Sequence, residues 1–148
     1  MRGDDQLSIG VRALAHFARF LERACEGTGV TLSQYRLLSY IESAEQRAGA
    51  LAERAAVSRP ALTAAVDGLV ERGLAARERA SDDRRAILIR LTPEGRRAMR
   101  EVDRGLGELL TTVIPPDRLA DVLDAAVVLG EGMARTVGDE GSAQVTKR

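Results

Sequence analysis

The sequence predicts a mainly α chain with one small β-hairpin. Three observations carry this expectation. Apolar residues recur at spacings of three and four over most of the chain, helix-start signals stand before several of those stretches, and one short alternating run at residues 86–92 interrupts them. A chain of 148 residues suits one domain with a real core, or a small domain plus an oligomerisation element.

The first helix is expected from about Asp5 to Cys25, because Leu7, Val11, Leu14, Ala18 and Leu21 form one apolar stripe that Phe17 and Phe20 widen. The run "EGTG" at 26–29 breaks it. Thr31 then reads as an N-cap, with Gln34 completing a capping box. The helix that follows, "LSQYRLLSYIES", turns Leu32, Tyr35, Leu38 and Ile41 to one side. A polar link, "AEQRA", leads to a short helix at 49–56. Ser58 is a good N-cap for the next helix, Pro60 falls in its first turn, and Gly73 is placed to end it. Leu62, Val66 and Leu69 are expected to face inward.

Residues 74–80 and 86–92 read as two strands joined by the turn "SDDRR". Thr92-Pro93-Glu94 is a second helix start of cap, proline and acid, and the helix after it carries Met99, Val102, Leu106, Leu109 and Val113 on one stripe. Pro115-Pro116 ends that helix and opens a last one running to about Thr136, with Leu119, Leu123, Ala126, Leu129 and Met133 on a face. Residues 137–148 read as a disordered tail.

The outer helices are longer than a domain of this size needs for its own core, which points to a dimer interface. About 30–92 would be a winged helix-turn-helix, with 5–26 and 93–136 as dimerisation helices. No apolar run approaches a membrane span and "MRGDDQLSIG" has no signal-peptide core, so a cytoplasmic protein is expected. Cys25 is the only cysteine and His16 the only histidine, which excludes an intrachain disulfide and a Cys/His zinc site within one chain. No nucleophile–histidine pairing, phosphate-binding glycine loop or metal-ligand cluster is present, so no enzyme and no cofactor are expected.

The net charge is zero, yet residues 46–100 carry 12 Arg against 7 Asp or Glu, while both ends are neutral or acidic. A basic middle of this kind fits a nucleic-acid partner. Two short helices, the second entered through Ser58, match a helix-turn-helix, whose second helix offers its N-terminal residues to the major groove. A two-stranded ribbon with an arginine-rich tip suits the minor groove. Helical hairpins without nucleic acid and plain surface turns with arginines also exist.

Over residues 5–136 the sequence resembles the MarR family of winged-helix transcriptional regulators. "VTLSQYRLL" resembles the family's second helix, and "LAERAAVSRPALTAAVDGLVERGLAARERASDDRRAILIRLTPEG" its helix-turn-helix, wing and following helix start. The most telling piece is Asp83-Arg84-Arg85 followed by Leu88 and Leu91-Thr92, which resembles the family's Asp-x-Arg wing signature. The resemblance implies a homodimer knitted by the terminal helices, a pseudo-palindromic operator in double-stranded DNA, and release by a small ligand or an oxidant.

Residue by residue, Arg85 resembles the wing arginine that enters the minor groove, and Asp83 the carboxylate that orients it. Arg84 is expected at the phosphate backbone. Ser58, Arg59, Pro60, Ala61, Thr63 and Ala64 occupy the exposed start of the recognition helix. Arg77 is either a backbone contact or a strand-end ion pair. Ala64 departs from the polar or basic residue often found there, which shifts weight toward thymine-methyl contacts and shape readout.

Some relatives sense peroxide through a cysteine inside the first helix. Cys25 lies at that helix's far end and reads as a buried structural residue, with thiol sensing as the alternative. The resemblance also implies an effector pocket that Phe17, Tyr35 and His16 are placed to line. Each is also explained as core, so no ligand residue is named. A different class of function, a winged-helix module that contacts only proteins, would put the basic wing against an acidic partner; salt-dependent DNA binding separates the two.

Overall fold

The computed structural model describes residues 2–43, 46–81 and 86–145. Among these the chain forms α1 (Arg2–Glu26), α2 (Leu32–Ser43), β1 (Gln46–Arg47), α3 (Ala48–Ala55), α4 (Arg59–Glu71), β2 (Ala75–Arg79), β3 (Ile87–Leu91), α5 (Pro93–Val113) and α6 (Leu119–Val145). A 3₁₀ turn at Pro116–Arg118 leads into α6. The fold is mainly α with a small antiparallel sheet, as the spacing of apolar residues implies.

The caps explain where the helices begin. Thr31 and Gln34 form a reciprocal box: the Gln34 amide donates to Thr31 Oγ1 at 3.2 Å, and the Thr31 amide donates to Gln34 Oε1 at 3.1 Å. The Ser58 hydroxyl accepts from the Ala61 amide at 3.3 Å, and the Thr92 hydroxyl from the Gly95 amide at 3.0 Å. Gly73 follows α4 with φ +69, a left-handed conformation that a side chain would oppose.

Two expectations are corrected. The polar link after α2 is not wholly irregular, because Gln46 and Arg47 add an edge strand to the hairpin, pairing with Ile89 and Leu88 in the order β1-β3-β2. Two residues are too few for a periodic signal, and the pairing is set by a strand some forty positions away. The tail expected from residue 137 is instead helical through Val145. That stretch holds no proline, and a helix already nucleated extends at little further cost.

Leu38, Leu51, Leu69, Ile89 and Val102 are fully enclosed, so the core lies where α2, α3, α4, the sheet and the first half of α5 meet. Cys25 and Val30 close it from the end of α1. Leu37 joins this core beyond the expected face of α2, while Leu32 and Tyr35 are only half-buried. The α5 stripe divides: Met99 and Val102 are buried, and Val113 at its end is exposed.

Candidate nucleic-acid interface

The helix expected from the sequence to be the recognition helix is α4, and its orientation follows from its apolar face. Leu62, Val66 and Leu69 are all buried, which leaves Ser58, Arg59, Pro60, Ala61, Thr63 and Ala64 exposed at its start. The Thr63 hydroxyl donates to the Arg59 carbonyl at 3.0 Å, one turn back on the same helix. Its proton is therefore committed, while the residue itself is exposed. The Arg59 guanidinium has no hydrogen-bond or ion-pair partner among the described residues.

Beside this helix stands the hairpin. β2 and β3 pair antiparallel with Arg77 opposite Ile89 and Arg79 opposite Ile87. The Ala80 amide donates to the Ala86 carbonyl at 3.0 Å and closes the ladder below the tip. Ile89 anchors β3 in the core, while Ile87 is exposed near the tip. Asp83, Arg84 and Arg85, the wing residues singled out in the sequence, lie outside the described residues.

Arg77 is placed by a contact that sequence reasoning did not find. Its Nη1 donates to Asp67 Oδ1 at 2.5 Å, an ion pair between β2 and α4. Asp67 stands on the exposed side of α4, where an acid opposite an arginine ten residues on was the one available signal. Across the hairpin, Arg90 pairs with Glu78 at 3.1 Å. Exposed pairs of this kind contribute little to stability, about 0–1 kcal/mol, so their effect is chiefly to fix the angle between elements.

Two further groups have displaced acidities. Tyr35 Oη donates to Asp103 Oδ1 at 2.5 Å, which ties α2 to α5. Burial first, then that hydrogen bond and the negative charge of Asp103, hold the Tyr35 phenol well above its ordinary range. Burial alone raises the Cys25 thiol, which is 1% exposed. The thiolate, the nucleophile that attacks a peroxide oxygen, is disfavoured there.

A groove of about 480 Å³ runs along the turn between α1 and α2, walled by Arg19, Glu22, Cys25, Glu26, Val30 and Thr31. His16, Phe17 and Tyr35 are not on that wall. Phe17 instead stacks on Phe20 with ring centroids 6.0 Å apart. Among the described residues no group of three or more His, Cys, Asp or Glu is placed to hold a metal ion. No described helix is long and apolar enough to cross a membrane.

Comparison with known proteins agrees with this geometry. The sequence profile of the MarR family matches residues 28–86, from the α1–α2 turn to the wing. No curated protein matches the chain. Among solved structures, the chain is similar to the transcriptional regulator BldR from Sulfolobus solfataricus, with 26% identity over 86% of this chain and 98% of that one and a TM-score of 0.62. NadR, solved in complex with 4-hydroxyphenylacetate, is 24% identical over 88% of this chain and 92% of its own, with a TM-score of 0.69. The repressor CouR, solved on a 23-mer DNA duplex, is 22% identical over 80% and 87%, with a TM-score of 0.66. The profile match spans the helix-turn-helix and the fold match most of the chain, so the protein has the winged-helix fold and is similar over residues 28–86 to the MarR family of regulators.

Proposed function

We propose that the protein is a homodimeric transcriptional regulator that binds a pseudo-palindromic site in double-stranded DNA, acts as a repressor in the cytoplasm, and is released by a small ligand. One observation carries the DNA reading. α4 buries its whole apolar face and leaves residues 58–64 exposed, beside a hairpin pinned to it by the Asp67–Arg77 pair. A helix held this way enters a major groove by its N-terminal end, and the hairpin reaches the neighbouring minor groove.

In this proposal Ser58, Arg59, Pro60, Ala61, Thr63 and Ala64 meet the major groove, Arg85 enters the minor groove with Asp83 orienting it, and Arg84 meets phosphate. Arg77 acts through Asp67. The basic balance of residues 46–100 supplies the sequence-independent attraction. CouR on its duplex supports the mode, and NadR with 4-hydroxyphenylacetate supports the small-ligand response.

Dimerisation is supported by what the single chain leaves uncovered. Leu7, Val11 and Leu14 on α1, Val113 on α5, and Val127, Leu129 and Met133 on α6 are all exposed. Such side chains call for a partner surface, and a second copy offers the same stripes.

The test is a binding titration on fragments selected from the organism's own genomic DNA. A selected fragment is expected to bind at least a thousandfold tighter than random-sequence DNA, roughly the lower bound for specific recognition, with an affinity that falls steeply with salt. Equal, weak affinity for both would leave the protein-contact reading in its place.

A further inference from the structure

We infer that Arg72 is a positioning residue that fixes the angle of the recognition helix against the dimer arms, and thereby sets the half-site spacing the protein accepts; this rests on the DNA-binding reading above. Arg72 caps the C-terminal end of α4. Its Nη1 donates to Gln34 Oε1 at 2.9 Å, and its Nη2 to the Gly29 carbonyl at 2.5 Å. Gly29 belongs to the connection between α1 and α2, and Gln34 to the first turn of α2.

That connection is itself closed by hydrogen bonds. Thr28 Oγ1 donates to the Cys25 carbonyl at 2.8 Å, at the end of α1, and accepts from the Val30 amide at 3.3 Å. Gln34 Oε1, which takes the Arg72 proton, also takes the Thr31 amide of the capping box. Cys25 and Val30 anchor the segment in the core. A chain of polar contacts therefore runs from the end of α1 to the end of α4, although α1 packs on α2 and α5 instead.

The physical need for such a tie follows from how α4 is otherwise held. Its 13 residues span roughly 20 Å. Leu62, Val66 and Leu69 hold its middle by non-directional apolar contact, which resists translation better than rotation. A planar guanidinium with two acceptors is directional, so it fixes the angle of the helix end. Asp67–Arg77 sets the wing against the same helix from its other side, but neither residue belongs to α1 or its turn. Arg72 adds a directional link between the α1–α2 turn, and through it α1, one of the proposed dimer arms, and the reading head.

The experiment compares wild type with Arg72→Ala on two duplexes: the tightest genomic site selected above, and the same duplex with one base pair inserted at its centre. That insertion moves one half-site by about 3.4 Å and turns it by about 35°. Wild type is expected to lose about tenfold or more in affinity, within the usual range of coupling between two sites. Arg72→Ala is expected to lose less than about threefold, with an unchanged dimer and little change in melting temperature. Arg72→Lys, which keeps the charge but reaches one acceptor, should fall between them. Gln34→Glu keeps the capping box and adds charge to the contact, so it should discriminate as wild type does. If Arg72→Ala is too unstable to assay, Gln34→Ala removes one acceptor and should also flatten the preference.

Several results overturn the inference. One is Arg72→Ala discriminating between the duplexes as sharply as wild type, whatever its melting temperature. Another is an equal weakening on every sequence with a shallower salt slope, which would make Arg72 a phosphate contact. Wild type that binds no duplex overturns the DNA-binding reading, and this one with it.

Discussion

Val66 and Val128 carry the same side chain on helices of one chain and meet opposite surroundings: Val66 is 2% exposed and Val128 63%. The contrast extends to their regions. Between α2 and the start of α5 most of the large apolar residues close on each other, and the α2, α4 and α5 starts are capped by side-chain hydrogen bonds. On the first half of α1 and along α6, Leu7, Val11, Leu14, Leu123, Val127, Leu129 and Met133 are exposed. The middle closes largely within one chain, whereas in the proposed homodimer a second copy covers the arms. A substitution in the middle should therefore act the same way at every protein concentration, and one in the arms should not.

The largest effect should come from Leu69→Ala. Leu69 is fully buried on α4, and truncating such a side chain costs about 2–5 kcal/mol. The melting temperature should drop by the same amount in dilute and concentrated samples. Leu129→Asp on α6 should instead convert dimer to monomer by sedimentation, with a melting temperature that no longer rises with concentration. A Leu129→Asp protein that sediments as a dimer would mean that α6 is covered in some other way.

Gly95→Ala tests the seam between the two regions. A Cβ on Gly95 would lie 2.0 Å from the Leu74 carbonyl oxygen and 2.7 Å from Leu91 Cδ1. The first turn of α5 must then lift off the sheet, at a cost on the order of 1–3 kcal/mol. Because α5 carries both the buried Met99 and the exposed Val113, the substitution should lower stability and DNA affinity together. Reduced stability alone, with operator affinity intact in the folded fraction, would show that the seam does not position the reading head.

At the wing, Arg85→Ala should weaken binding to the selected site by about 1–3 kcal/mol for each groove contact it removes. Arg84→Ala should weaken all sequences alike and make the salt slope shallower by about one unit for each phosphate it no longer neutralises. Both should leave the dimer intact. If Arg85→Ala binds its site as tightly as wild type at physiological salt, the hairpin is not a reading element.

What was legible in the sequence follows the same division. Thr31 with Gln34, Ser58 and Thr92 act on amides within three residues, so their caps can be read from neighbours alone. The buried faces of α4 and of early α5 follow from helical period. Contacts that span the chain were not legible. Gln46 pairs with Ile89, Arg72 reaches Gln34 across 38 positions, and Tyr35 meets Asp103 across 68. No local pattern encodes these, because each depends on where folding has already brought two elements. The wing-tip residues were named by resemblance and lie outside the described residues, so their roles rest on the proposal.

The smallest expected effect concerns Tyr35 and Asp103, which join α2 to α5 by a single polar contact. Tyr35→Phe keeps the ring and removes the hydroxyl that donates to Asp103. At neutral pH the destabilisation should be about 1 kcal/mol, because the site is only half-buried and Asp103 can turn to water. The pH dependence is the sharper reading. The folded state raises the phenol above its ordinary value of 10.0, so it holds the proton more tightly than the unfolded chain does. The unfolded state then releases its proton first as pH rises. The stabilisation is fully present below about pH 10, the unfolded tyrosine value, and declines above it until the folded phenol also ionises. The buried Cys25 thiol is raised from 9.0 and adds a decline of the same sign that starts about one unit lower. Wild type should therefore lose stability steadily from about pH 9 upward in a series of thermal melts. Tyr35→Phe should lose less above pH 10, and Cys25→Ala should remove the earlier part. If Tyr35→Phe follows the wild-type alkaline curve throughout, the Tyr35–Asp103 contact does not hold α2 to α5 in solution.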